Sequence, residues 1–279
     1  MRRKSGFTLG KLFKAFLLFI YLIMAVVPLY WIIITSLKEP TEVYTWPIRY
    51  WPTHISFSGY RFLFKFANFA QFFRNSLFTS ITASFFAMVF STLSGYILAR
   101  YKFKYKKTLI VLLFFAQMIP TYLLMIPQYK MFSDIGLIDN LWALVIIYVN
   151  VSVSFSTIMA RGFFSRIPKN LEEAAMIDGT SRIGAIFKIT IPLSLPGIAA
   201  IFSFSFVNTW NELFTAALFI NSSEKMTVPV ALNSFVSKAG IQWNVMGAGL
   251  VVALLPTIVV FAFAQKYIIA GLTKGALKG

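Results

Sequence analysis

The chain has 279 residues, 58% of them hydrophobic and 13% charged, with a mean hydropathy of +0.74, where a soluble domain carries about 25% charge. That composition excludes an ordinary water-soluble fold. The 26 Lys and Arg against 9 Asp and Glu would suggest nucleic acid in a soluble chain, but here the basic residues fall between apolar runs and read as topology signals, with no nucleic-acid partner expected. With no cysteine, and His54 as the one histidine, disulfides, thiolate metal sites and cysteine nucleophiles are excluded, and no metal site is expected.

A helix needs roughly 20 apolar residues to cross a bilayer, because every backbone N–H and C=O must be paired without water. Six runs meet this: Ala15 to Ser36, Asn75 to Ala99, Thr108 to Tyr129, Asn140 to Ala160, Pro196 to Asn221 and Val245 to Gln265. The sequence therefore predicts an all-α polytopic membrane protein, one transmembrane domain over 1–279 with six spans at about 15–36, 75–99, 108–129, 140–160, 196–221 and 245–265. Only the fifth run contains an ionisable residue, Glu212. The first is too long for a signal-peptide core of about 7–15 residues and is followed by no small-residue cleavage site, so it reads as a retained helix.

If the loops lie on alternate sides, 18 of the 26 Lys and Arg fall on one side, with both termini. The positive-inside rule makes that side cytoplasmic. The outer loop from Lys38 to Arg74 contains Pro40, Pro47 and Pro52, and Trp46 and Trp51 suit the membrane–water boundary. Phe62, Phe66, Phe69 and Phe73 recur at helical spacing, which fits either a short helix along the interface or a packed aromatic loop. Pro120, Pro127 and Gln117 mark the third span as a candidate broken helix.

The cytoplasmic segment 161–195 is too long for a turn and too polar for lipid. Asn170 is a natural N-cap, Glu172 and Glu173 occupy the first turn, where the helix dipole favours carboxylates, and Gly179 suits the helix end. A second helix is expected from about Ser181 to Thr190, stopping before Pro192. Glu173-Ala174-Ala175-Met-Ile-Asp178-Gly179, with Ile191-Pro192 farther on, resembles the cytoplasmic EAA loop of permease subunits of binding-protein-dependent ABC importers. Thr180 and Ile191 stand where that pattern usually has Ala and Leu. Pro28 to Lys38, Asn75-Ser76, Asn208 to Glu212 and the tail Gly271 to Gly279 are similar to the carbohydrate-importing, maltose-type branch. The resemblance implies a type I ABC importer permease architecture, a second permease subunit, two cytoplasmic ATPase subunits that hold ATP and Mg, an extracytoplasmic solute-binding protein and a carbohydrate substrate. It also implies that the helix carrying Glu172, Glu173, Ala174, Ala175, Asp178 and Gly179 couples this chain to an ATPase, and that the tail after Tyr267 either reaches between the ATPases or is a frayed basic terminus.

Within the spans, Ser205, Asn208, Glu212 and Thr215 form one helical stripe, as do Asn150, Ser154 and Thr157, and Asn75, Thr79 and Thr82. Together with Asn211, these residues read either as a hydroxyl and amide path for a polyhydroxylated solute or as hydrogen-bonding glue between helices. A charge at mid-bilayer is unfavourable by roughly 2.5–3.5 kcal/mol, which places Glu212 against a cavity or a partner. No Gly-x-x-x-x-Gly-Lys-Ser/Thr loop occurs, so the chain is expected to bind no cofactor and to be no enzyme, its energy coming from partner subunits. The alternative is an ion-coupled carrier, for which Glu212 is the sole intramembrane candidate.

Overall fold

The computed structural model describes residues 9–65, 67–237 and 240–276. Arg2, Arg3 and Lys4, and the side chains of the tail from Ile268 onward, lie outside the described residues. The chain forms two compact units, Met1–Asn68 with Ser234–Leu254, and Phe69–Asn233 with Leu255–Gly279.

The first unit opens with α1, Leu9–Ser36, hydrophobic almost all round and 6% buried over its apolar window, as a helix facing lipid must be. Polar staples hold the loop that follows. Lys38 Nζ donates to the Arg49 carbonyl at 2.5 Å and sits 4.9 Å above the Trp31 ring, while Glu42 accepts from Thr53 N and Oγ1, both at 2.7 Å. Helix α2, Ser58–Lys65, is short. Of the phenylalanines at helical spacing, Phe62 lies in α2 and Phe69 and Phe73 in the next helix, with Asn68 at a left-handed φ of 50° before it; Phe66 lies outside the described residues. A two-residue hairpin, β1 Val236–Ser237 with β2 Gly240–Ile241, leads into the last helix, α12, Trp243–Ala276. Gly59 packs on the start of α12, where a Cβ would come within 2.6 Å of the Asn244 carbonyl oxygen.

The second unit is built around α3, Phe69–Arg100, which packs along α6, Leu141–Ser165, and α9, Ile191–Trp210. The buried face of α3 carries Ser76, Ser80, Ala83, Ser84, Ala87, Ser91 and Gly95. In lipid no hydrophobic gain separates protein from solvent, so helices associate through close backbone packing, which small residues permit. Gly95 shows the limit, since a Cβ there would lie 2.4 Å from Ala160 Cβ. Larger side chains close the two ends: Leu144, Tyr148, Phe219 and Ile220 in one cluster, Tyr96, Phe164 and Ile201 in the other.

Two apolar runs are interrupted. The third consists of α4, Lys106–Met118, and α5, Thr121–Asp134, meeting at 94°. Ile119, before Pro120, is extended at ψ 119°, as the proline ring requires of its predecessor. The fifth run ends its helix at Trp210, and a separate α10 covers Phe214–Phe219. Among the described residues, five helices are long and apolar enough to cross a membrane, or six with the bent pair taken as one span. The expected stop before Pro192 is not observed. Helix α8, Arg182–Ala185, continues through a π-helical turn, Ile186–Thr190, into α9. The wider turn moves the backbone carbonyls that a proline ring would otherwise strike, so the helix carries Pro192 without breaking.

Candidate functional site: the loop between α6 and α9

Helix α7, Asn170–Ile177, begins one residue earlier than the expected Asn170 cap, with Lys169 at the cap position; the Lys169 carbonyl accepts from Glu172 N and Glu173 N at 3.0 and 3.2 Å. Its other end is closed by paired bonds from Gly179 N to the Met176 carbonyl, 3.1 Å, and from Thr180 N to the Ala175 carbonyl, 2.9 Å. This closure needs a left-handed residue, and Gly179 has φ +87°. Ser181 then caps α8, its Oγ accepting from Gly184 N at 3.1 Å.

The two glutamates of α7 separate completely. Glu172, Ala175 and Met176 share the inward stripe, whereas Glu173, Ala174, Ile177, Asp178 and Gly179 are exposed. The Glu172 carboxylate accepts from Arg100 Nε at 2.7 Å and Tyr96 Oη at 2.9 Å, both on α3, and from Thr190 Oγ1 at 2.7 Å in the π turn. Arg100 also donates through Nη1 to the Ile167 carbonyl at 2.9 Å. Burial pushes the Glu172 carboxyl up, but the bonds from Thr190, Tyr96 and Arg100 outweigh it and hold the group below the ordinary glutamate value. One side chain thus ties α7 to the ends of two membrane helices. Ile177, on the outer stripe, is 86% exposed.

The polar residues of the spans are placed differently from one another. Glu212 lies in the break after α9, where its carboxylate accepts from Thr215 N at 2.8 Å, Ala216 N at 3.2 Å and Tyr148 Oη at 2.8 Å. It caps α10 and joins it to α6. Thr215 and Ser205 are buried, the latter 3.5 Å from Ser156 Oγ across the α6–α9 contact. Asn150, Asn208 and Asn211 are exposed and Ser154 is half-buried; Asn211 Nδ2 donates to the Val207 carbonyl within its own helix at 2.9 Å. On α3, Asn75 Nδ2 donates to the Glu224 and Met226 carbonyls, and Thr79 to its own helix backbone. Ser205, Thr215 and Thr79 thus lie within the packed interior, while Asn150 and Asn208 lie on exposed surface.

Sequence reasoning missed Tyr96, Arg100 and Thr190, and also Asp139, which accepts from Asn221 N at 3.0 Å, Ser222 N at 2.9 Å and Lys225 Nζ at 2.8 Å. The spacing of Glu172, Ala175 and Met176 held the available signal, a three–four stripe pointing one glutamate inward.

A bundle of candidate membrane spans with a helix pair anchored on its loop is a multi-pass membrane protein. Residues 91–274 match the family described as "Binding-protein-dependent transport system inner membrane component". Over 99% of its length the chain is 32% identical to the sulfoquinovosyl glycerol transport system permease protein SmoH of Agrobacterium fabrum, covering 96% of that protein. It is 31% identical to the diacetylchitobiose uptake system permease protein DasC of Streptomyces coelicolor, over 95% of each chain. Its fold superposes on a chain of a bacterial ABC transporter involved in import of the acidic polysaccharide alginate, with TM-score 0.79, 24% identity and coverage of 96% of this chain and 99% of that one. The protein belongs to the binding-protein-dependent transport inner-membrane family: it is an ABC importer permease subunit. This membership sets aside the ion-coupled carrier, and Glu212 acts as a helix cap.

Proposed function

We propose that this chain forms one half of the gate of a carbohydrate importer, with both termini in the cytoplasm, a second permease as the other half, two ATPase subunits below and a solute-binding protein outside. Relatives named for a sulfosugar glycoside and a chitin disaccharide support a glycoside or short oligosaccharide as the solute. The observation that carries the docking role is the division of α7. Its inner stripe is fixed to the bundle through Glu172, while Glu173 and the 86% exposed Ile177 face outward, an acidic and apolar pair that suits a cleft in a partner protein. ATP bound between the ATPases would shift the gate through its differential affinity for their two arrangements. The asparagines Asn150, Asn208 and Asn211 are the candidate solute contacts. The test is Glu173→Lys in the full complex: the chain still inserts, while the ATPase no longer co-purifies and uptake stops. Normal co-purification with wild-type uptake contradicts the docking role.

A further inference from the structure

The link from α3 to α4 reads Arg100-Tyr101-Lys102-Phe103-Lys104-Tyr105-Lys106-Lys107, with five cations, no acid and an aromatic ring between successive cations up to Lys106. Topology accounts for the basic residues and says nothing about the rings. The link leaves one membrane helix at Arg100 and enters the next at Lys106, so its backbone is confined to the bilayer boundary. Phe103 is 41% and Tyr105 65% exposed, unfavourable in water but suited to the headgroup level, where amphipathic and aromatic side chains settle. Lys102, Lys104 and Lys107 are exposed beside them. A recess of about 210 Å³ opens against the same link, lined by Arg100 and Tyr101 and by Lys169 and Arg182 from the α7–α8 loop. Glu172 also lines it, but its charge is already met by Arg100 at 2.7 Å; Glu173 stands exposed at the rim. The patch is strongly cationic and aromatic, and its 101–105 portion joins the ends of two candidate spans.

We propose that Lys102–Lys107, with Lys169 and Arg182, binds the headgroup of an anionic phospholipid. The lysines take the phosphate, and Phe103 and Tyr105 sit at the boundary between headgroups and acyl chains. A cluster of this size immediately beside a membrane helix has the electrostatics for such recognition, at roughly fivefold per basic residue near an anionic surface. The test is native mass spectrometry of the full-length protein in its complex, with phosphatidylglycerol as the probe and phosphatidylcholine as the neutral comparison. Wild type retains phosphatidylglycerol in preference. Lys102→Gln/Lys104→Gln/Lys107→Gln weakens that retention about tenfold or more. Phe103→Ser/Tyr105→Ser, which keeps every charge and so the topology signal, also weakens it. Excess inorganic phosphate leaves retention unchanged. Equal retention of the two lipids by wild type, an unaltered lysine variant, an unaltered aromatic variant, or displacement by inorganic phosphate would each overturn the assignment. Because the readout is lipid retention, it stands or falls apart from transport.

Discussion

Glu172→Gln removes one charge from the carboxylate that joins α7 to α3 and the π turn, with almost no change in shape. Three donors at 2.7–2.9 Å meet that group, and the side chains of Arg100 and Glu172 are 7% and 11% exposed. Charge-assisted bonds exceed neutral ones by roughly 1 kcal/mol each, so neutralising the shared acceptor weakens the attachment by about 2–3 kcal/mol. Glu172→Ala goes further, leaving Arg100 buried and unpaired at about 3–5 kcal/mol. The membrane helices are retained by the bilayer, so the loss appears as local opening of α7 and not as unfolding of the chain. At 1.4 kcal/mol per factor of ten, Glu172→Gln raises the opened population about 30- to 140-fold. Hydrogen exchange at the backbone amides of 173–180 measures this directly, since exchange in a helix tracks its opening free energy. Glu173→Gln, on the exposed stripe, leaves the rates unchanged. Wild-type exchange in Glu172→Gln, or equal acceleration in Glu173→Gln, refutes the assignment of the anchor to the inner glutamate.

Asp139→Asn tests the bonds that hold the α5–α6 link to residues 221–225. Burial raises the Asp139 carboxyl, but Lys225, Ser222 and the Asn221 amide hold it far below the ordinary aspartate range. A folded-state pKa lower than the unfolded value of about 3.9 stabilises above that value and loses its effect as pH falls below it, so the thermal-stability gap between wild type and Asp139→Asn in detergent is smaller at pH 3 than at pH 7. Glu212→Ala removes the acceptor for Thr215 N, Ala216 N and Tyr148 Oη; a lost cap weakens α10 by about 1–2 kcal/mol, visible as faster exchange over 215–219 with α3 unaffected. Gly95→Ala forces a methyl to within 2.4 Å of Ala160 Cβ, and overpacking of about 1–3 kcal/mol lowers the melting temperature in detergent, whereas Gly162→Ala, with open space around it, does not.

The spans and their polar loop were legible because two strong physical demands write them into composition: hydrocarbon needs long uncharged runs, and helix ends need caps. Gly179 was readable for that reason. The polar stripes were less so, because Ser205 and Asn208 have similar chemistry in sequence yet one is buried against Ser156 and the other exposed; only packing separates glue from path. Pro192 misled because a local rule about proline met a π turn that relieves its clash. Arg100 was counted as a topology signal, and its bond to a carboxylate 72 residues away has no local trace. Glu212 needs a cavity or a partner as a charge within the fifth run, but the sequence does not show that the partners are Tyr148 and the backbone amides of a helix break.

The first helix answers to a different constraint from the rest. From Gly10 through Leu29 every residue is exposed, so among the described residues of its own unit no neighbour's shape dictates which apolar residue occupies which place. Bilayer thickness sets its length, and its order of leucines, isoleucines and aromatic rings can vary as long as its oiliness is kept. Reshuffling those letters would leave the molecule's own jigsaw untouched, and any penalty that such a shuffled chain displayed would therefore report on something pressed against it from outside.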